Sequence, residues 1–497
     1  MLFNSIEFMI FFPVVCLIYY LIPHKVRYLF LLGCSYFFYM CWNPEYALLM
    51  LTSTAITYVS GLLIDSAEKI EEEKRRIRRK KLYVALSFVS NLSILFFFKY
   101  YGFAADTATR LFGLAGISVQ IPALDVVLPV GISFYTFQAL SYTVDVYRKD
   151  IYAERNFFKY ALFVSFFPQL VAGPIERSKN LLIQINEKHK FEFERVRSGL
   201  LLMLYGFFQK VVLAEYLAMV VDNVYNTYSE RTGFQLLIAT ICFAFQIYCD
   251  FGSYSNIAIG AAKVMGFRLM ENFNTPYFAV SVADFWRRWH ISLSTWFRDY
   301  LYIPLGGSRK GKIRKQINLM IVFLVSGLWH GASWQFVVWG GLNGAYQVIG
   351  EWLRPIRKKI MGALKIDENA ASHKLLQMGI TFALVDISWI FFRAPLGQAV
   401  EILQRIIGMS SKNWFTWGSN LKVMGLTRAT RNLLVISLVI LLIADICKYK
   451  KIDVIDWICR QGIWLRWLIY YAAVFGVLIF GVYGPGYDAS QFIYFQF

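Results

Sequence analysis

Long apolar runs, separated by short polar and basic segments, extend along this chain from its first residues to its last. The runs lie near residues 7–22, 28–42, 45–65, 82–98, 126–146, 157–175, 197–223, 234–262, 316–350, 376–392, 432–447 and 463–483. Because they are continuous rather than alternating with period two, they predict helices and not half-buried strands. A straight helix needs about 20 apolar residues to cross a bilayer. We therefore expect an all-α, polytopic transmembrane bundle of about eleven spans, with some re-entrant or interfacial helices.

The run 316–350 contains no formally charged residue and is too long for one crossing. As one straight helix it would measure about 52 Å, whereas the hydrocarbon core is about 30 Å thick. Gly327, Gly331 and Ser333 crowd one short stretch, so we predict that the helix breaks there. Both ends of the run are basic, which indicates that the segment returns to the side from which it entered. His330 lies at the break, and an ionisable side chain deep in the bilayer is typical of a cavity-lining residue.

The composition agrees with residence in a membrane, since 57% of the residues are hydrophobic and 17% are charged, with a mean hydropathy of +0.47. The net charge of +19 does not indicate nucleic-acid binding, because basic residues gather between apolar runs, as in the cluster 74–81. By the positive-inside rule such loops are cytoplasmic, which places the N-terminus outside a plasma membrane and the basic loops against anionic lipid. A basic cytoplasmic face also suits an acidic carrier protein or a phosphate-bearing donor.

The cysteine pattern and the N-terminus exclude two further classes. Seven cysteines form no CxxC pair and lie mostly in apolar runs, so we expect neither a zinc site nor another metal centre. The stretch 7–22 has no basic segment before it and no small-residue cleavage site. We therefore interpret it as a retained first span and not as a signal peptide.

A charged, tryptophan-rich segment, DFWRRWHISLSTWFRDYLYIPLGG, begins at Asp284. Asp284 and Arg288 are four residues apart, as are Trp286 and His290, so on a continuous helix each pair would share a face. The segment is too charged for a lipid-facing span. It is either an interfacial helix, with arginine and tryptophan side chains at the headgroups, or a re-entrant helix that brings His290 toward the same cavity as His330.

This segment, followed by SGLWHG around His330, closely resembles the membrane-bound O-acyltransferase family, in particular its alginate O-acetyltransferase branch. Further stretches agree with that branch, and they are FPQLVAGPI at 167–175, ENFNTPY at 271–277, WIFFRA at 389–394, the N-terminus, and the terminal FIYFQF. The stretch DFGSYSN at 250–256 departs from the expected DFSGYSD, which puts any role of residue 256 in doubt. The teichoic-acid D-alanyl transferase is a related but usually shorter protein.

The resemblance implies one membrane-embedded domain over residues 1–497, with a catalytic core at 82–395 and C-terminal spans with an aromatic tail at 396–497. It implies transfer of an acyl group, preferably acetyl, from a cytoplasmic thioester to hydroxyls of an extracytoplasmic polysaccharide. The donor is either acetyl-CoA or an acyl carrier protein thioester, and no resident cofactor is expected. A central tunnel should join both faces with His330 at its narrowest point, and an extracytoplasmic transferase is an expected partner.

In that family His330 matches the essential histidine and His290 the second one. A neutral imidazole is a suitable general base, because desolvation disfavours its charged form. Sequence does not identify the group that stabilises the oxyanion; Trp329, Ser326 and the backbone around Gly331 are candidates. The buried acids Asp250 and Asp386 should pair with a basic side chain or face the cavity. The candidate supporting residues are Asp250, Asp284, Arg288 and Trp329.

The aromatic tail suggests a bolder role for Tyr494. By resemblance to a companion protein of the D-alanyl system, Tyr494 is a candidate acyl relay. The simpler interpretation is an aromatic anchor in the membrane interface. Other classes remain open: a D-alanyl transferase for teichoic acid, a transporter or flippase of envelope precursors, or a structural scaffold of an envelope complex. A transporter often repeats its broken helix in the other half of the chain, and we find no second break of the WHG type.

Overall fold

The structure is a computed structural model that describes residues 1–119, 121–122, 127–171, 173–409, 424–483 and 493. These residues are almost entirely helical and contain no strand, so the all-α prediction is confirmed. The helices are α1 (Ile6–Leu21), α2 (His24–Met40), α3 (Pro44–Ser66), α4 (Glu73–Leu95), α5 (Tyr101–Leu114), α6 (Ile132–Arg148), α7 (Phe157–Ser165), α8 (Phe167–Leu170), α9 (Ser178–Asn186), α10 (Phe193–Phe207), α11 (Glu215–Tyr225), α12 (Gly233–Met265), α13 (Val282–Arg288), α14 (Ile291–Phe297), α15 (Lys312–His330), α16 (Trp334–Ala363), α17 (Ala371–Arg393), α18 (Leu396–Ile407), α19 (Arg428–Tyr449), α20 (Val454–Cys459) and α21 (Ile463–Phe480).

Within the described residues, 7 helical stretches are long and apolar enough to cross a membrane, and one shorter apolar helix accompanies them. The stretches are Pro44–Lys69, Glu73–Leu114, Phe193–Tyr225, Gly233–Met265, Ala371–Arg393, Arg428–Tyr449 and Ile463–Phe480, with Ile6–Leu21 as the shorter helix. The polytopic helical class is thereby confirmed, while the count of about eleven spans stays a prediction.

The chain forms two compact units. The first unit comprises residues 1–203 and 257–270, and the second comprises 204–256 and 271–497. In the first unit, small residues of α3 allow neighbouring helices to approach closely. Tyr160 donates its hydroxyl to Thr57 at 2.7 Å, and a Cβ on Gly61 would lie only 2.6 Å from the Tyr142 ring. Small residues at such contacts are typical of helix packing in membranes.

One predicted span of the first unit is wrong. We expected the run 157–175 to be one crossing, but α7 ends at Ser165 and the four-residue α8 follows it. The 9 residues of α7 extend about 14 Å at 1.5 Å per residue, which is too short to cross. Pro168 supplies the reason, because proline has no backbone N–H and its ring clashes with the carbonyl four residues earlier in a continuing helix.

In the second unit the break in the run 316–350 is found where it was predicted. Helix α15 ends at His330 and α16 begins at Trp334. The two helices pack antiparallel at glycines: a Cβ on Gly340 would lie 2.3 Å from the carbonyl oxygen of Phe323, and one on Gly327 would lie 2.2 Å from that of Phe336. Only the absence of side chains permits this approach, which fixes the turn that carries His330.

The two ends of this hairpin lie together, while their placement on the cytoplasmic side stays a prediction. Near its open end Lys315 forms an ion pair with Glu351 at 2.6 Å. Because α15 is continuous from Lys312 to His330, a rise of 1.5 Å per residue places His330 about 22 Å along the helix from Lys315. The hairpin therefore carries its histidine far from its charged end.

Candidate active site

His290 lies at a sharp turn between two short helices of the second unit. Helix α13 ends at Arg288, and His290 is the N-cap of α14 with φ 44° and ψ 54°. Residues other than glycine rarely adopt this left-handed conformation, which costs on the order of 1–3 kcal/mol and is held only by surrounding contacts. Our expectation that Trp286 and His290 share one helical face is wrong, since the helix ends between them.

The side chain of Asn272 holds the His290 ring in place. Its Oδ1 lies 3.0 Å from His290 Nδ1 and accepts the Ser292 hydroxyl at 2.9 Å, while its Nδ2 donates to the Ser255 hydroxyl at 3.0 Å. The Ser292 backbone N–H also points at Oδ1, at 3.4 Å, which identifies this atom as the amide oxygen. His290 Nδ1 must therefore be the donor, so the neutral ring carries its lone pair on Nε2.

Burial keeps His290 in the neutral form. The residue is fully buried, and desolvation lowers its pKa from 6.5 to about 3. In the unfolded chain a histidine titrates near 6.5, so between these two values the unfolded state binds more protons than the folded state. The contribution of His290 to stability is therefore complete above pH 6.5 and declines as the pH falls toward 3. Throughout the physiological range His290 is a neutral imidazole.

His330 is the last residue of α15 and lies in an aromatic cluster. It is 3% exposed, and its ring centroid lies 4.9 Å from Trp339, 5.0 Å from Trp329 and 5.4 Å from Phe392. The next residue, Gly331, ends the helix, and a Cβ there would lie 2.1 Å from the Phe336 ring. Close packing on both sides of the turn leaves the imidazole little freedom to move.

The structure brings the two histidine rings together. Their centroids are 6.4 Å apart, and the Trp329 ring lies 5.8 Å from His290. Two chain segments that are 40 positions apart in sequence, at 290 and 330, thus meet inside the second unit. Sequence reasoning paired the histidines but missed Asn272, although Asn272 lies within the quoted stretch ENFNTPY. The stretch is mostly polar and contains a second amide, Asn274, so nothing in its composition singled out Asn272.

Asp284 and Arg288 support the loop that carries Asn272. Their predicted pairing is present, with Arg288 Nε 3.0 Å from Asp284 Oδ2. Arg288 also donates to the Thr275 hydroxyl at 3.2 Å, and Asp284 accepts the backbone N–H of Val280 at 3.2 Å. The ion pair therefore links α13 to the segment that follows Asn272. Its contacts with Thr275 and Val280 hold this segment in place.

The two buried acids behave differently. Asp250 meets the expectation of a basic partner, since Lys210 Nζ lies 2.7 Å from its Oδ1. Asp386 is 6% exposed and forms no ion pair within the described part of the chain.

Tyr494 lies outside the described residues, but its neighbour Ile493 is described, and the Ile493 backbone N–H donates to Asp250 Oδ2 at 2.8 Å.

The comparisons with known proteins identify the class. A sequence model of the membrane-bound O-acyltransferase family matches residues 151–384, which include both histidines. A protein of Azotobacter vinelandii named as a probable alginate O-acetylase is 38% identical over 395 residues, which are 79% of this chain and 75% of that protein. The chain belongs to the membrane-bound O-acyltransferase family. It is an O-acyltransferase and an integral membrane protein.

Relatives with other names are also similar. The peptidoglycan O-acetyltransferase of Helicobacter pylori is 33% identical over 410 residues, covering 77% of this chain and 74% of that protein. The teichoic acid D-alanyltransferase of Streptococcus thermophilus is 28% identical over 292 residues, covering 54% of this chain and 69% of that protein. Similarity to the acetyltransferases is thus both higher and longer than similarity to the D-alanyltransferase.

The hydrogen bond between Asn272 and His290 predicts how the transfer rate depends on pH. Replacing Asn272 by Asp keeps the shape and an acceptor for His290 Nδ1, but it places a negative charge against the ring and should raise the pKa of His290. We expect acyl transfer by Asn272→Asp to decline between pH 7 and 5, whereas His290 contributes no such decline in the wild type. The measurement is the transfer rate against pH. Asn256→Asp, which changes an amide bonded to Gln209, is the control, and equal profiles for all three proteins would contradict the assignment.

Proposed function

We propose that this protein transfers an acetyl group from a cytoplasmic thioester toward the hydroxyls of an extracytoplasmic polysaccharide. The names of the alginate and peptidoglycan relatives support acetyl as the acyl group and a polysaccharide as the acceptor. The observation that carries the proposal is the pair of buried imidazoles 6.4 Å apart. A reaction between a thioester and a hydroxyl needs little more than a positioned base and stabilisation of the developing charge.

In the proposed reaction His330 acts as general base. Its neutral imidazole takes the proton of the attacking hydroxyl while the hydroxyl oxygen adds to the thioester carbonyl carbon. The tetrahedral intermediate then collapses, the carbon–sulfur bond breaks, and the proton passes from His330 to the thiolate that leaves. The products are an ester and a free thiol, so the enzyme returns to its starting state. General-base assistance of this kind contributes about 10²–10⁴-fold to a rate.

His290 acts beside it as a neutral hydrogen-bonding group. With Nδ1 committed to Asn272, the lone pair of the neutral ring lies on Nε2. A neutral ring at this place avoids a second positive charge next to the imidazolium that forms on His330, which would lower the basicity of His330. Trp339 is a candidate oxyanion donor, because its indole N–H is fully buried and has no hydrogen-bond partner among the described residues.

The donor is acetyl-CoA or an acetylated acyl carrier protein, and the acetyl group leaves the enzyme for an extracytoplasmic transferase or directly for the polysaccharide. The basic clusters between the apolar runs favour either donor, since both are anionic. Membranes that contain the protein, supplied with each radiolabelled donor in turn, test the proposal. Label in exported polysaccharide, dependent on one donor, is the expected result. A D-alanyl carrier serves as the third donor. Transfer from this carrier alone would contradict acetyl transfer and favour D-alanyl transfer, as the name of the Streptococcus relative states for that protein.

We propose Tyr494 as an intermediate acceptor of the acetyl group. Its hydroxyl would attack the thioester, with His330 as base, and the resulting aryl ester would then pass its acetyl group to the final hydroxyl. Replacing Tyr494 by Phe keeps the ring and removes the hydroxyl, so we expect transfer to fall to background while donor binding stays unchanged. Mass spectrometry of the C-terminal peptide should find an acetyl group only in the wild type. Full polysaccharide acetylation by Tyr494→Phe would exclude the relay.

A further inference from the structure

The second unit contains a buried charged cluster that the proposed reaction does not use. Lys210 Nζ lies 2.8 Å from Glu215 Oε1 and 2.7 Å from Asp250 Oδ1. Lys210 and Asp250 are each 2% exposed and Glu215 is 7% exposed. Removing such charges from water costs several kcal/mol per ion, so a buried ion pair is weak evidence of a gain in stability. Ionisable groups within membrane-spanning helices are more often retained for function.

The backbone at this cluster is also irregular. Lys210 lies in a π-helical turn, Phe208–Ala214, between α10 and α11. Such turns are rare and are frequent at functional sites, because they leave backbone groups available outside the helix. Here the available group is the Val211 carbonyl, which accepts the backbone N–H of Val482 at 2.9 Å. Val482 follows α21, the last helix among the described residues, so the main chain after this helix contacts the turn.

A second main-chain contact from the same segment lies at Asp250. The Ile493 N–H donates to Asp250 Oδ2 at 2.8 Å, and Ile493 is 3% exposed. The two carboxylate oxygens therefore have separate partners, Lys210 on one and the Ile493 amide on the other. A hydrogen bond from an amide to an ionised carboxylate is stronger than one between neutral groups. Since it recognises main chain, it fixes position along the chain rather than side-chain identity.

A small polar cleft adjoins these groups. Its polar lining consists of Lys210, Glu215, Asp222, Gln246, Asp250 and Arg393, and Ile493 closes part of it. Arg393 pairs with Asp222 at 2.6 Å, while Gln246 Oε1 is buried and has no partner among the described residues. The site thus has polar groups beyond those that hold Ile493, as a receptor for a peptide segment requires.

We propose that Asp250, held by Lys210, is the receptor for the C-terminal segment of this chain and positions it for acyl transfer. The carboxylate binds the Ile493 amide, and Val211 binds the Val482 amide. This assigns Asp250 the role of a positioning residue, which acts through the tail and not on the substrate. The inference deepens the proposed function, since Tyr494 is the residue that follows Ile493. Asp445 is another buried acid of the second unit, but it accepts a hydrogen bond from the Tyr248 hydroxyl, at 3.0 Å, so it provides a matched control.

Hydrogen exchange of the C-terminal peptide tests the contact without requiring activity. In the purified full-length protein, Asp250→Ala should raise the exchange rate of the Ile493 amide about tenfold or more, because its acceptor is lost, while a peptide from α3 exchanges as before. Asp445→Ala should leave the Ile493 amide protected. Equal protection in wild type and Asp250→Ala, or equal loss in both alanine variants, overturns the proposal.

A change on the tail side keeps the test valid if Asp250→Ala does not fold. Ile493→Pro removes the donated N–H and leaves the buried helices unchanged, with Ile493→Val as its control. We expect the proline variant to lower kcat of acetyl transfer at least tenfold with an unchanged KM for the donor. Combined with Asp250→Ala it should add nothing further, because both changes remove one interaction. Additive losses overturn the proposal. If wild-type protein transfers no acyl group at all, the proposed function fails, and exchange still decides the contact.

Discussion

Replacing His330 by Ala should abolish acyl transfer and leave a folded protein. The imidazole is the proposed base, and general-base assistance contributes about 10²–10⁴-fold, so the expected loss in kcat is of that order. The ring lies at the end of α15, where Gly331 and the packing of α16 define the turn independently of the side chain. We therefore expect the helical circular dichroism and the elution volume of the detergent-solubilised variant to match those of the wild type.

The control for this change is His189→Ala. His189 is half-buried in the first unit, where its ring packs 4.5 Å from Phe267, and it has no part in the proposed reaction. A loss of activity shared equally by both variants would indicate a general sensitivity to histidine removal. A folded His330→Ala enzyme with wild-type kcat would exclude the proposed base, and aggregation of that variant alone would favour a structural role for the ring.

Local properties of the sequence were sufficient for several features of the fold. The break near Gly331 follows from the length of an uncharged run measured against the thickness of a bilayer. The pairing of Asp284 with Arg288 follows from helical spacing, and that of Asp250 with a basic side chain follows from the cost of an isolated buried charge. Each of these predictions rests on one segment or on one energetic necessity, so no tertiary information was required.

Other features depended on contacts that no periodicity records. Asn272 could not be assigned to His290, because the turn at His290 ends the helix that the spacing had suggested. The choice of Lys210 as the partner of Asp250 also required the structure, since many basic residues were available in the sequence. The same holds for Ile493, whose contribution is a backbone N–H and is therefore invisible in side-chain patterns. Long-range partners at the site had to be observed.

The close packing of α15 against α16 at Gly340 predicts a second large effect on stability and activity. Replacing Gly340 by Ala should destabilise the protein and lower its activity, because the added Cβ would lie 2.3 Å from the Phe323 carbonyl oxygen. That distance is far below van der Waals contact, and backbone atoms cannot move aside as a flexible side chain can. Overpacking of this kind costs about 1–3 kcal/mol or more. Since α15 carries His330, separation of the two helices should also displace the proposed base.

Gly350→Ala is the matched control, since Gly350 lies in the same helix and a Cβ there would meet nothing within 4 Å. Alanine is favoured over glycine in a helix by up to about 1 kcal/mol, so this variant should be as stable as the wild type or slightly more stable. The midpoint of thermal unfolding in detergent and the transfer rate measure both variants. Because the two changes add the same methyl group to the same helix, their difference isolates the contact with α15. Equal midpoints and equal rates for Gly340→Ala and Gly350→Ala would show that the close approach of the helices contributes nothing to holding His330 in place.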